Sequence, residues 1–107
     1  MTQAEIYSQL KTSGYDVAYN HFQEKKSPPF LVYMRISDEN ISSDYIVHGK
    51  FKTYQIELYT RKKDVVAEQK IEEILGAIDP EYQTSETCIE SDKLYQIVYQ
   101  IRVVERS

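Results

Sequence analysis

The sequence predicts an α+β domain. Its sheet is mixed or antiparallel, of about four to five strands, with two helices packed on one face, in the order α-β-β-β-α-β-β. Three observations predict it. Tyr54, Ile56 and Leu58 alternate with Thr53, Gln55, Glu57 and Tyr59, the period of a strand with one buried face. Ala67, Ile71, Ile74, Leu75 and Ile78 recur at helical spacing after Asp64. Tyr95, Ile97, Tyr99, Ile101 and Val103 share one face of a closing strand. A chain of 107 residues is one domain, spanning 1–107. A domain of this size buries roughly 65% of the surface its unfolded chain exposes, enough for one core without staples.

The first element is a short helix from about Gln3 to Ser13. Thr2-Gln3-Ala4-Glu5 has the form of a capping box, in which Thr2 and Glu5 each accept the other's amide proton. Ile6 and Leu10 lie one turn apart on the face that docks, and Gly14 suits a left-handed stop. Val17 and Tyr19 begin a short strand, and the polar run His21 to Ser27 reads as a loop. Pro28-Pro29 forbids helix and feeds an extended chain. Phe30, Val32, Met34 and Ile36 then alternate with Leu31, Tyr33 and Arg35; both sets are partly apolar, as in a central strand.

Ser37 to Gly49 has two readings. Its polar residues suggest a long hairpin loop, whereas Tyr45, Ile46 and Val47 are too apolar for one that is purely solvated. They either prolong the hairpin or meet a partner. The strand through Leu58 follows, then the second helix, N-capped by Asp64 and ended by Pro80. Tyr82 to Ile89 is polar enough for an edge strand, Glu90-Ser91-Asp92-Lys93 makes a turn, and Leu94 to Val104 closes the sheet.

Two lengths pose a packing question. A helix of about 15 residues spans roughly 22 Å, and a strand of about 11 residues roughly 36 Å. The second helix therefore cannot cover the last strand alone. Either the first helix covers the remainder, or part of that face meets another subunit.

Charge and composition exclude several functions. The net charge of −4 argues against a general nucleic-acid binder. Cys88 is the sole cysteine, so no internal disulfide forms, which fits a reducing compartment. Met1 to Glu5 lacks the basic and apolar regions of a secretory signal, and no run approaches the roughly 20 apolar residues of a membrane helix. Ten tyrosines and no tryptophan either reflect the strand preference of tyrosine or mark sheet faces that meet a partner.

The charges are ordered along the chain. Lys50 to Lys63 carries five bases and one acid; Asp64 to Asp92 carries nine acids and one base. One reading is a solvated turn followed by a solvated helix face. The other is a molecule with a basic flank (Arg61, Lys62, Lys63) that faces the acidic flank of a neighbour (Glu72, Glu73, Glu86) head to tail.

No catalytic constellation is present, and the chain is read as a non-enzyme with no metal or cofactor. His21 and His48 lack metal-ligand spacing, and no pair of carboxylates sits among apolar residues that would raise a pKa. Gly14, Gly49 and Gly76 are isolated and build no phosphate-binding loop.

Several strings carry a family resemblance: Tyr19-Asn20-His21-Phe22, Pro28-Pro29-Phe30-Leu31-Val32-Tyr33, Tyr54-Gln55-Ile56-Glu57-Leu58-Tyr59-Thr60, Lys63-Asp64 before a Glu-rich helix, and Ile89-Glu90-Ser91 before Lys93-Leu94-Tyr95-Gln96-Ile97-Val98-Tyr99. Nearly the whole chain resembles small prophage proteins of Gram-positive bacteria encoded among head–tail connection and tail genes. It is similar to the tail-terminator or tail-completion proteins of long-tailed, non-contractile phages. The resemblance implies a structural homo-oligomer, a ring that is commonly a hexamer, at the end of the tail tube. It implies the major tail tube protein and the head-completion protein as partners, with no membrane. DNA passes through the lumen without specific binding. The expected location is the head–tail junction of the virion, reached from the host cytoplasm during assembly. For this reading Asp38, Glu39, Asp44, Tyr45 and Ile46 are expected at the lumen or tail tube. Alternatives are a head-completion or connector protein on the portal side, and a cytoplasmic ferredoxin-like binding module.

Overall fold

A computed structural model describes residues 1–89 and 94–106, with side-chain surroundings for 1–86 and 94–105. The turn expected at Glu90 to Lys93 and the side chain of Cys88 lie outside the described residues. The elements are α1 (Gln3–Lys11), β1 (Asp16–Tyr19), β2 (Phe30–Ser43), β3 (Ile46–Thr60), α2 (Val65–Ile78), β4 (Gln83–Ile89) and β5 (Leu94–Arg106). The strands form one mixed sheet in the order β1-β2-β3-β5-β4. β1 runs parallel to β2, and every other pair is antiparallel. The predicted α+β class and element order hold, with β2 interior and β4 at an edge.

The core follows from strand register. Leu31, Leu58 and Ile97 align across β2, β3 and β5; Tyr33, Ile56 and Tyr99 form the next row, and Tyr54 aligns with Ile101. All of these are buried in one cluster with Ile6 and Leu10 of α1 and Ala67, Ile71 and Leu75 of α2. Both helices therefore pack on the same face. Val103, far along β5, is only 5% exposed and belongs to the same cluster, with Met1 packed against it. The helix-side face of β5 is thus covered within the chain as far as Val103.

The helix ends show the expected caps. The Glu5 amide donates to Thr2 Oγ1 at 3.2 Å, and the Thr2 amide donates to Glu5 Oε1 at 3.1 Å. The bond from the Thr2 amide is the main cause holding the Glu5 carboxyl below its ordinary value. α1 ends at Lys11, short of the expected Ser13. The Thr12, Ser13 and Gly14 amides donate three residues back, to Gln9, Leu10 and Lys11, tightening the last turn. Gly14 then takes a φ of +87°, which a side chain would resist. In α2, Asp64 Oδ1 accepts from the Ala67 amide at 3.0 Å.

The main departure is at Ser37 to Gly49. Most of this stretch is strand, because β2 and β3 pair as far as Ser43 and Ile46. The loop is two residues, Asp44 and Tyr45. Of the two readings, prolongation of the hairpin is the one adopted. The pairs that hold it are long-range: Lys50 with Asp38, and Arg102 of β5 with both Glu39 and the Phe51 ring, at 3.9 Å from its centroid. The result is an arm that draws the molecule out to 51 × 28 × 24 Å.

Candidate interaction site

Asp44 and Tyr45 have φ values of 51° and 64°. A two-residue hairpin loop with positive φ at both positions suits a type I′ turn, which favours Asn or Asp followed by Gly. Tyrosine at the second position is costly, because a Cβ crowds the backbone there. Its side chain gains nothing from its own chain in return: Tyr45 is fully exposed, and Ile46 beside it is 59% exposed. Behind the turn, Ser43 Oγ and His48 Nε2 lie 2.8 Å apart. Of the residues expected at a lumen or tube, Asp44, Tyr45 and Ile46 therefore form the tip. Asp38 and Glu39 sit farther back on the arm, within ion pairs to Arg35, Lys50 and Arg102.

The opposite end of the sheet carries a groove. β1 and β2 are parallel neighbours, so residues 20–29 must cross one face of the sheet to connect them. The helices occupy one face, and the connection covers part of the other. It turns at Asn20, where φ is +71° and the His21 amide donates to the Tyr19 carbonyl at 2.8 Å. Phe22 then meets Phe30 edge-on at 5.4 Å between centroids, and Phe30 stacks on Tyr59 at 4.9 Å. The groove has a volume of about 940 Å³, and His21, Lys25, Lys26 and Arg61 are among the side chains that line it.

A polar network fixes the floor of this groove. Glu57 accepts from Gln55 Nε2 at 2.8 Å and from the Tyr59 hydroxyl at 3.0 Å, and Gln96 Nε2 donates to Tyr59 at 2.9 Å. Burial, reinforced by the Glu57 carboxylate, pushes the Tyr59 phenol up to about 12. Tyr59 is thus a fixed, neutral hydrogen-bonding wall at ordinary pH. The polar run His21 to Ser27 reads locally as a plain loop; Phe22 and Phe30, on either side of Pro28-Pro29, are the signal of the groove.

The expected charged flanks are partly joined inside one molecule. Lys63 reaches Glu68 at 3.0 Å and also pairs with Glu86. Glu72 turns toward the sheet, accepting from Tyr82 and Tyr99 at 3.4 and 3.3 Å. Arg61, Lys62 and Glu73 are exposed. Tyrosine use is mostly internal: Tyr33, Tyr54 and Tyr99 are buried, Tyr7 and Tyr19 pack on Tyr33, and Tyr82 packs on Tyr99. Tyr45 is the clear exception.

Among the described residues, no group of three or more His, Cys, Asp or Glu side chains is placed to hold a metal ion. No described helix is long and apolar enough to cross a membrane. Models of known protein families give no match to this chain, and curated protein sequences include no significant relative of it.

Proposed function

We propose that the chain is a non-enzymatic structural protein of a phage virion, which caps the tail tube as a homo-oligomeric ring and joins tail to head. The observation that carries this reading is the arm. A β-hairpin projects from the core and ends in a fully exposed tyrosine held at positive φ. Such a residue is costly in the isolated subunit and useful where the tip is received by something else. The terminator-like strings from Tyr19 to Tyr99 add the particular assembly, a hexamer at the head–tail junction formed in the host cytoplasm. Its mechanism is complementarity of shape and charge, and the net negative chain suits a lumen through which DNA passes without being gripped.

The test is a pull-down of the purified protein against the major tail tube protein and, separately, against the head-completion and portal proteins of the proposed virion. Capture of the tube protein supports the terminator reading. Capture by the portal side alone moves the chain to the connector reading. The groove favours a second reading, a binding module, although the order α-β-β-β-α-β-β with β1 parallel to β2 is not the ferredoxin-like arrangement expected for it. Saturable binding of a peptide or nucleotide by the protein, with no capture by either virion partner, selects that one.

A further inference from the structure

We propose that the arm tip of one copy docks in the groove of the next, making the subunit contact head to tail. The inference rests on the ring reading above and names the contact that would build the ring.

Three observations carry it. First, tip and groove are chemically matched. The groove floor is aromatic, formed by Phe22, Phe30 and Tyr59, and its rim carries Lys25, Lys26 and Arg61. The tip offers an aromatic ring, Tyr45, beside the Asp44 carboxylate and the apolar Ile46. Edge-to-face packing of Tyr45 on such a floor is favourable beyond its area burial.

Second, the signs are opposed. From Ile36 to Gly49 the arm contains Asp38, Glu39 and Asp44 and neither lysine nor arginine. Asp38 and Glu39 have ion-pair partners within the chain, so Asp44 is the acid at the tip itself. The groove contains Glu24 and Glu57, but the Glu57 carboxylate already accepts from Gln55 and Tyr59. Three cations on the rim leave it net positive.

Third, the placement excludes an internal contact. The groove lies where β2 begins at Phe30, and the tip lies where β2 ends at Ser43. A strand of that length separates them by roughly 40 Å at 3.3 Å per residue. A chain cannot fill its own groove, and one patch meets a different patch on its neighbour. Made once per pair of subunits, that contact is heterologous and closes into a ring or runs on as a filament according to its rotation. In this arrangement Tyr45 and Ile46 are covered between subunits, and the flank of the arm bearing Asp38 and Glu39 remains for the lumen or tail tube.

The test uses two variants of the whole chain and sedimentation velocity at the highest soluble concentration. Tyr45→Gly removes the tip ring and suits the positive φ. Lys25→Glu with Arg61→Glu inverts the rim at two exposed positions. Far-UV circular dichroism should match the parent for both. The parent is expected to self-associate, and each variant to do so at least about tenfold more weakly, the scale of losing an interface anchor. An equimolar mixture retains one intact tip and one intact groove per pair, so it should form one-to-one heterodimers and stop there. A monomeric parent, variants that assemble like the parent, or a mixture with no heterodimer each overturn the proposal. The ring reading is separable. Variants that still cap tail tubes leave it standing without this contact. A parent that associates through tip and groove but never engages tail tubes removes that reading and leaves the contact.

Discussion

Lys63 and Glu86 form an ion pair within one chain, tying the turn before α2 to the edge strand β4. The sequence places these residues on flanks of opposite sign, and the fold joins them. Glu86, then Glu68, pushes the Lys63 ammonium up to about 12. A raised lysine value stabilises fully below its ordinary 10.5, and the contribution is lost as pH rises through about 12. Solvent screens a pair this exposed, so its role is local. Lys63→Glu should speed hydrogen exchange at β4 amides and leave self-association close to the parent. Reversal at Arg61 and Lys62 should do the opposite, weakening association and reducing its salt sensitivity. Equal effects of both changes on association would place Lys63 between subunits after all.

Tyr54 and Tyr99 offer a second contrast. Both are buried, but the Tyr99 hydroxyl donates to Glu72, whereas that of Tyr54 has no hydrogen-bond partner among the described residues. A buried hydroxyl without a partner costs about 1–3 kcal/mol of desolvation. Tyr54→Phe is therefore expected to leave stability unchanged or raise it by about 1 kcal/mol. Tyr99→Phe removes a made bond and should lower stability by about 1 kcal/mol. Urea unfolding of both variants checks the ordering, and a larger loss at Tyr54 would contradict it.

The capping box sets a pH response. Glu5 has its carboxyl held below the ordinary 4.5. A depressed acid stabilises fully above its unfolded value, and that contribution is lost as pH falls through the lowered folded value. Glu5→Gln keeps a group able to accept from the Thr2 amide but cannot titrate. Its thermal midpoint should change less than that of the parent as pH falls from neutral to below 4.5. Thr2→Ala should cost about 1 kcal/mol at neutral pH, the usual loss for an N-cap. Both are read by thermal scans across pH, and identical pH profiles for parent and Glu5→Gln would refute the first.

The tip makes the clearest stability prediction. Tyr45→Gly relieves a side chain at φ 64° and completes the Asp-Gly pair that a type I′ turn prefers. It should stabilise the isolated subunit by about 1 kcal/mol, or roughly 4 °C in Tm. A lower Tm would mean that Tyr45 stabilises its own chain.

Much of the fold was legible from local pattern. Period-two alternation from Thr53 to Tyr59 and the stripe from Ala67 to Ile78 report burial on one face, and burial is what the core delivers. The arm was less legible. Asp38, Glu39 and Asn40 are poor strand formers, and their extended conformation depends on Lys50, Phe51 and Arg102, which lie far away in sequence. The groove was illegible for a related reason. Nothing local in Val17 to Tyr19 says that β1 pairs parallel with β2, yet that pairing sends Phe22 across the sheet to Phe30. Tyr45 and Ile46 stood out because apolar residues in a polar stretch need cover, and the fold of one chain leaves them exposed.

The most direct measurement is electron microscopy of the purified protein mixed with tail tubes polymerised from the major tail protein of the proposed virion. The account predicts a ring at one end of each tube and no further lengthening from that end. Bare tube ends that keep growing at the same rate would contradict it.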